Sequence, residues 1–286
     1  MPDYVYSFRL GSATLTIISE GTLKWAASSA FGDASEEEWR PLAETDSEGD
    51  LTCGMNIVHV AIHDHSILCD TGIGEPHPSR TNFEASFPIV HTPGLIPCLA
   101  SIGVQPEQIT EILFSHTHGD HIMGTTVERN GQRVPAFPHA RYILTQTEWA
   151  EAPARTQPDS TFNLHLLVLQ ARNLMTLVED RYEVTKGVHM IPSPGESPGH
   201  AIIRIESEGK TAFYLGDLFH HPAEVIHPDW APRGRDKARL LASREALVAE
   251  ALDTDALLIT AHMPFPGMGK LQRRHRDSVE WVSVGS

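Results

Sequence analysis

The stretch "SHTHGDHIMG" at residues 115–124 constrains this chain more than any other. It crowds His116, His118, Asp120 and His121 together, straight after the apolar run "ITEILF". Solvated charge does not account for the crowding, because imidazole is mostly neutral near pH 7. Core packing does not account for it either, because buried imidazoles need polar partners. Metal coordination is the reading that remains. In an extended segment alternate side chains face the same way, so His116 and His118 can bind one ion together. Gly119 allows the backbone to turn, and Asp120 with His121 can then reach a neighbouring ion.

The rest of the chain limits the partners of such a site. With 22 Lys and Arg against 37 Asp and Glu, the formal charge of the 286 residues is −15. A phosphate-backbone binder needs a basic face, so nucleic acid is not expected, although Arg273, Arg274 and Arg276 form a local basic patch. Cys53, Cys69 and Cys98 have no metal-type spacing and no disulfide-framework pattern, which fits a reducing compartment. No leader peptide and no apolar run long enough for a membrane span is seen, so a cytoplasmic protein acting on a small molecule is expected.

Strand and helix patterns interleave along the chain, which predicts α/β layers in one domain over 1–286, with halves of about 1–155 and 156–286. "YVYSFRL" and "ATLTIIS" read as strands joined at Gly11-Ser12, and 55–72 as two strands around a His-Asp-His turn. Residues 96–103 have helical spacing, while 109–115 and 140–146 read as strands. Leu164, Leu167, Ala171, Leu174 and Val178 predict a helix over about 162–180. "HMIPS", "AIIRIES" and "TAFYLGD" follow as strands. Leu241, Val248 and Leu252 predict a second helix over about 236–253. "ALLIT" and the tail "SVEWVSV" close the pattern as strands. The acidic, turn-rich segment 26–52 reads as a long loop or arm, with Trp25, Phe31 and Trp39 as apolar anchors. It is also a candidate contact for a homodimer.

Three further polar residues stand, like the opening cluster, at strand ends or turns beside strands: His200 in "SPGHAIIRI", Asp217 in "FYLGDLFHH" and His262 in "LLITAHMPFPG". Loops at strand ends are where α/β proteins place ligands. His116, His118, Asp120, His121, His200, Asp217 and His262 are together a nitrogen and oxygen set of the kind zinc takes. If Asp217 bridges, two ions are satisfied with room for a shared hydroxide. "HTHGDH" with these three partners, in the same chain order, resembles the H-x-H-x-D-H signature of the metallo-β-lactamase fold. The resemblance covers nearly the whole chain. It implies an αββα sandwich with two metals at one sheet edge. It also implies that His116, His118 and His200 hold the first zinc, that Asp120, His121 and His262 hold the second, and that Asp217 bridges both. Manganese, iron or cobalt would fit similar ligands.

The resemblance sorts activities as well. The commonest zinc β-lactamases lack the histidine matching His121 and carry cysteine in place of Asp217, so antibiotic hydrolysis is not expected. Acyl-homoserine lactonases place a catalytic tyrosine three residues after the bridging aspartate, where this chain has His220. A histidine there looks like the methyl parathion hydrolase-like branch, which includes lactone, aryl ester and phosphotriester hydrolases. The implied chemistry is attack by a hydroxide bridging two metals on a small lactone, aryl ester or phosphotriester. Asp120 would orient the hydroxide, and His220 would hydrogen-bond the substrate or protonate the leaving group. Alternatives are an acyl-homoserine lactonase with His220 in place of tyrosine, and a glyoxalase II-like thioesterase, whose basic C-terminal grip "KLQRRHR" (270–276) echoes. A metal-dependent binding protein without catalysis is a further alternative.

Asp70 in "ILCDTG" is implied to orient a ligand histidine, and otherwise reads as a turn aspartate. Trp149, Phe219, Trp230 and Phe265 are candidates for an apolar substrate pocket, with core packing as the alternative for each. His221 and His227 are candidate pocket walls, whereas His59, His63, His65 and His139 read as structural or surface residues.

Overall fold

Alternating apolar residues fold the start of the chain into an antiparallel pair, Val5–Leu10 and Ala13–Ala26, turned at Gly11 with φ 57°. The computed structural model describes residues 3–274 and 278–285, so Arg276 and the end of the basic run lie outside the described residues. Asp50–Ile62 and His65–Cys69 flank the expected His-Asp-His turn. Glu111–Leu113, Arg141–Thr145 and Met175–Val178 then extend the same sheet in parallel. A second sheet runs in the order Tyr182–Thr185, Val188–Pro192, Ala201–Ser207, Lys210–Tyr214, Leu257–Ile259, Met268–Arg273 and Val279–Ser283.

The sheets pack face to face. Leu15, Ile17, Val58 and Val60 of the first meet Ile203, Ile205 and Tyr214 of the second. Outside the first sheet, Leu95–Ser101 and Thr161–Gln170 set Leu99, Phe162 and Leu166 against Ile112 and Tyr142. Outside the second, Lys237–Thr254 sets Leu240 and Leu247 against Phe213 and Leu258. Each fully buried Leu, Ile or Phe contributes roughly 1.5–3 kcal/mol relative to exposure, so these apolar layers dominate the packing energy. The result is the expected αββα sandwich. No helix among the described residues is long and apolar enough to cross a membrane.

Three expectations change. The helix expected over 162–180 ends at Gln170, and Met175–Val178 continues as an edge strand. Asn173 takes φ 56°, which an α-helix does not pass through. The stripe residues Leu174 and Val178 are four apart, an even number, so they share a strand face as readily as a helix face. In the second helix the buried face is Leu240, Arg244, Leu247 and Ala251, rotated one position from the expected stripe, because buried Arg244 belongs to it. The 26–52 segment is anchored by Phe31 and Trp39 as expected, but it is not a continuous loop. It folds into short helices, Ala27–Ala30 and Glu36–Trp39, and buries Phe31 and Trp39 against Trp230 and Met123.

Candidate metal centre

Strand direction gathers the polar residues at one edge. His65–Cys69 and Glu111–Leu113 run parallel in one sheet, as do Lys210–Tyr214 and Leu257–Ile259 in the other. Their exits carry Asp70, the 115–121 cluster, Asp217 and His262. His200 directly precedes the antiparallel strand Ala201–Ser207. Backbone bonds across the sheets, from Gly54 N to His262 O (2.8 Å) and from Asn56 N to Ala261 O (2.9 Å), fix the two halves of this edge together. After extended His118 the chain enters a short helix, Gly119–Ile122, which carries Asp120 and brings the His121 ring to 4.2 Å from that of His116. Gly119 is an ordinary helix start there, without positive φ.

Each buried imidazole is held from behind. Nδ1 of His121 donates to Asp70 Oδ2 (2.8 Å), Nδ1 of His200 to Ser193 O (3.0 Å) and Nδ1 of His262 to Gly54 O (3.0 Å). Nδ1 of His116 lies 3.0 Å from Ser115 Oγ. The carboxylate and carbonyl contacts put the proton on Nδ1 of His121, His200 and His262 and turn Nε2 inward, as a ligand requires, while Nε2 of His116 lies 2.8 Å from His118 Nδ1. Asp70 itself accepts from Ser115 N (2.7 Å), Ser115 Oγ (2.7 Å) and Tyr214 OH (2.8 Å) as well as from His121. Buried Glu148 plays a parallel part for the loops, accepting from Thr117 N and Oγ1, Ser197 Oγ and Gly199 N.

Inside, the donors converge in two groups. Ligand atoms of His116, His118, Glu196 and Asp217 all lie within 4.8 Å of one another, as do those of Asp120, His121 and His262. Asp217 Oδ1 is 3.1 Å from Nε2 of both His121 and His262, and Oδ2 is 3.5 Å from His116 Nε2. Yet His121 Nε2 and Asp217 Oδ1 are buried without a hydrogen-bond partner. Buried donor atoms this close, neither of them in a well-formed hydrogen bond, fit a shared cation between them. His200 stands outside the first group, its Nε2 accepting from Asp217 N at 3.2 Å. Glu196, which the sequence reading missed, takes a place in that group, with Oε2 buried and unpartnered.

The electrostatics also call for a cation. Burial pushes His118 and His200 each down to about 4, and holds His116 well below its usual value, so these imidazoles are neutral at pH 7. Burial opposes charge on His121 too, but the Asp217, Asp120 and Asp70 carboxylates outweigh it and raise its pKa. Burial would also raise Asp217, yet His121, His262 and His116 hold it well below the usual carboxylate value. Buried carboxylates beside neutral nitrogen lone pairs fit divalent metal ions.

A cavity of about 280 Å³ opens on this edge, walled by Leu23, Trp25, Phe83 and Phe87 and floored by His118, Asp120, Asp217 and His262, with Arg235 at its side. The expected pocket residues are elsewhere. Trp149 is buried against Phe162, and Phe219 lies beneath the Arg244 guanidinium. Trp230 is packed between Phe31 and His227. All three are buried in core clusters and line neither cavity beside the site. Phe265 lines a second cavity of about 670 Å³ that His220, His221 and His262 also face. His220 is buried, its Nε2 3.4 Å from Asp217 Oδ2, its ring stacked on His262 and edge-on to Trp25. Outside the site, His59 pairs with Ser66, His65 with Glu111, and His139 with the Glu107 carbonyl.

The fold and this arrangement together define a class. The chain matches the Metallo-beta-lactamase superfamily over residues 52–262 and belongs to it. It is similar to the N-acyl homoserine lactonase of Bacillus cereus, 31% identical over 150 residues, which are 50% of this chain and 54% of that enzyme. It is equally similar to N-acyl homoserine lactonase AiiA of Bacillus thuringiensis subsp. kurstaki, 31% identical over 171 residues, 59% of this chain and 58% of that one. The matched region thus spans little more than half the length of these relatives. A probable metal-dependent hydrolase from Staphylococcus aureus has the same fold, with TM-score 0.82, 22% identity, and 92% and 94% of the two chains covered. AidC, a dizinc quorum-quenching lactonase, superimposes with TM-score 0.80 at 23% identity over 99% of this chain and 98% of its own.

Proposed function

We propose that this chain is a dinuclear metal-dependent hydrolase that opens a small lactone or cleaves a related aryl ester or phosphotriester. The observation that carries the proposal is the pair of donor groups, each within 4.8 Å, linked by Asp217, whose Oδ1 lies 3.1 Å from Nε2 of both His121 and His262, beside a cavity lined in part by apolar side chains. By the family resemblance His116, His118 and His200 would hold one ion and Asp120, His121 and His262 the other, with Asp217 between them. Glu196 is the further donor beside His116, His118 and Asp217, and His200 would join them by exchanging its contact with Asp217 N. Zinc suits this set. What such a pair of ions supplies when bound is an activated water at neutral pH and polarisation of the substrate oxygen.

The chain's own groups do the rest. Asp70, the Ser193 carbonyl and the Gly54 carbonyl keep the imidazoles in one tautomer. Leu23, Trp25, Phe83 and Phe87 seat the apolar part of the substrate and thin the water around it. Burial would strip the proton from His220, but Glu224 and Asp217 outweigh it and hold its pKa at about 10. His220, with Nε2 3.4 Å from Asp217 Oδ2 and Nδ1 3.5 Å from Glu224 Oε1, is placed to hydrogen-bond or protonate the leaving oxygen.

Similarity to N-acyl homoserine lactonases favours a lactone. His220, in place of the tyrosine of the acyl-homoserine lactonase pattern, favours the methyl parathion hydrolase-like branch. The thioesterase alternative loses support, because Lys270 pairs with Asp255 and Arg274 with Glu280, which neutralises part of the basic run. The test is a panel of dihydrocoumarin, an acyl-homoserine lactone, a p-nitrophenyl ester and a methyl phosphotriester, run on wild type and His220→Ala. The expected result is turnover of at least one ester and a loss of about 100-fold or more in kcat for the variant. No turnover with full metal occupancy would refute the hydrolase, and unchanged rates in His220→Ala would refute the role of His220.

A further inference from the structure

Arg235 is the one permanent cation among the described residues that line the 280 Å³ cavity. It stands beside His118 in a chain whose formal charge is −15, so its placement is not explained by a generally basic surface. Its Nε donates to Glu196 Oε1 at 2.5 Å, and that same oxygen lies 3.5 Å from His118 Nδ1. Glu196 is 3% exposed, its other oxygen buried and unpartnered, so Arg235 rests on a rigid, buried counter-charge rather than waving in solvent. The Arg235 side chain itself remains 23% exposed. Neither Nη1 nor Nη2 has a partner among the described residues.

That geometry has a chemical meaning. Guanidinium binds carboxylate through two parallel N–H bonds, and the Nη1–Nη2 edge is the fork left open once Nε is taken. Leu23, Trp25, Phe83 and Phe87 supply the apolar part of the same lining. We propose that Arg235, aimed by Glu196, is a specificity-determining residue that binds a carboxylate carried by the substrate a few atoms from the scissile ester. Resting on the hydrolase reading above, the assignment narrows the substrate class to apolar or aromatic lactones and esters that bear a free carboxylate. The scissile group takes the floor at Asp120, Asp217 and His262, the ring takes the apolar wall, and the carboxylate takes Arg235.

The test compares wild type, Arg235→Met and Arg235→Lys, each with metal content measured first. One arm is kinetic: kcat/KM for an aryl ester bearing a carboxylate against the same ester as its carboxamide. The ratio should fall by about 10–100-fold in Arg235→Met, through KM rather than kcat, and recover only in part in Arg235→Lys. The other arm needs no turnover: quenching of tryptophan fluorescence by phenylsuccinate and by 3-phenylpropanoate. Wild type should bind the dicarboxylate at least about 10-fold more tightly, and Arg235→Met should lose that preference. Equal weakening of both ligands, an unchanged ratio, or loss of bound metal in Arg235→Met would overturn the proposal, the last by making Arg235 a support of His118. Failure of every ester with the binding preference intact would instead refute the hydrolase reading and leave the carboxylate site standing.

Discussion

Replacing Asp70 with Asn removes one charge and changes little else in size. Asp70 accepts four hydrogen bonds, from Ser115 N, Ser115 Oγ, His121 Nδ1 and Tyr214 OH, at 2.7–2.8 Å. Asn keeps an oxygen for the Ser115 amide but turns an NH₂ toward the other three donors. The Ser115 and Tyr214 hydroxyls can rotate to accept. Nδ1–H of His121 cannot, unless the imidazole changes tautomer and points a proton inward from Nε2. Hydrogen bonds to a charged acceptor contribute roughly 1.5–3 kcal/mol each, and support of this kind governs about 10–100-fold in metal affinity. The account therefore predicts that Asp70→Asn binds the ion held by Asp120, His121 and His262 about 10–100-fold more weakly, with the other ion less affected. Competition against a chromophoric chelator reads both affinities, and circular dichroism confirms the fold. Both affinities within about 3-fold of wild type would refute the reasoning that tautomer control sets the site.

Two further predictions concern charges that the site buries nearby. Arg244→Met leaves Glu224 buried without its ion-pair partner (3.0 Å) and should destabilise the chain by roughly 3–5 kcal/mol in urea unfolding. Adding Glu224→Gln should recover part of that loss, and no recovery would contradict the pairing. Burial pushes Glu20, which accepts from Ile73 N and Leu95 N, from 4.5 up to about 7. Because the folded state holds this proton more tightly than the unfolded one, Glu20 supports stability below about pH 4.5 and loses that support as pH rises to about 7. Glu20→Gln should then gain on wild type by about 3 kcal/mol between those pH values, and a pH-independent difference in unfolding free energy would refute the assignment.

Much of the architecture was legible because strand patterns and polar residues coincide. His116, His118, Asp120 and His121 follow an apolar strand, and Asp217 and His262 follow two more, so strand direction alone brings them to one edge. The cavity was not legible. Leu23, Trp25, Phe83 and Phe87 look in sequence like any core residue, and only the packing of distant segments turns them toward the site. Trp149, Phe219 and Trp230 stayed open between pocket and core for the same reason, and they pack in the core. Glu196 and Arg235 carried no spacing signal, since each matters only through the other and through His118. Arg244 was hidden by its type, because a fully buried arginine breaks the apolar stripe that marks a core-facing helix.

The central claim is that two donor groups sharing Asp217 hold two metal ions. Its most direct measurement is the metal content of purified wild type, His118→Ala and His262→Ala by elemental mass spectrometry. The account predicts about two divalent ions per chain in wild type and about one in each variant. Less than one tightly held ion in wild type, or two retained in either variant, would contradict it.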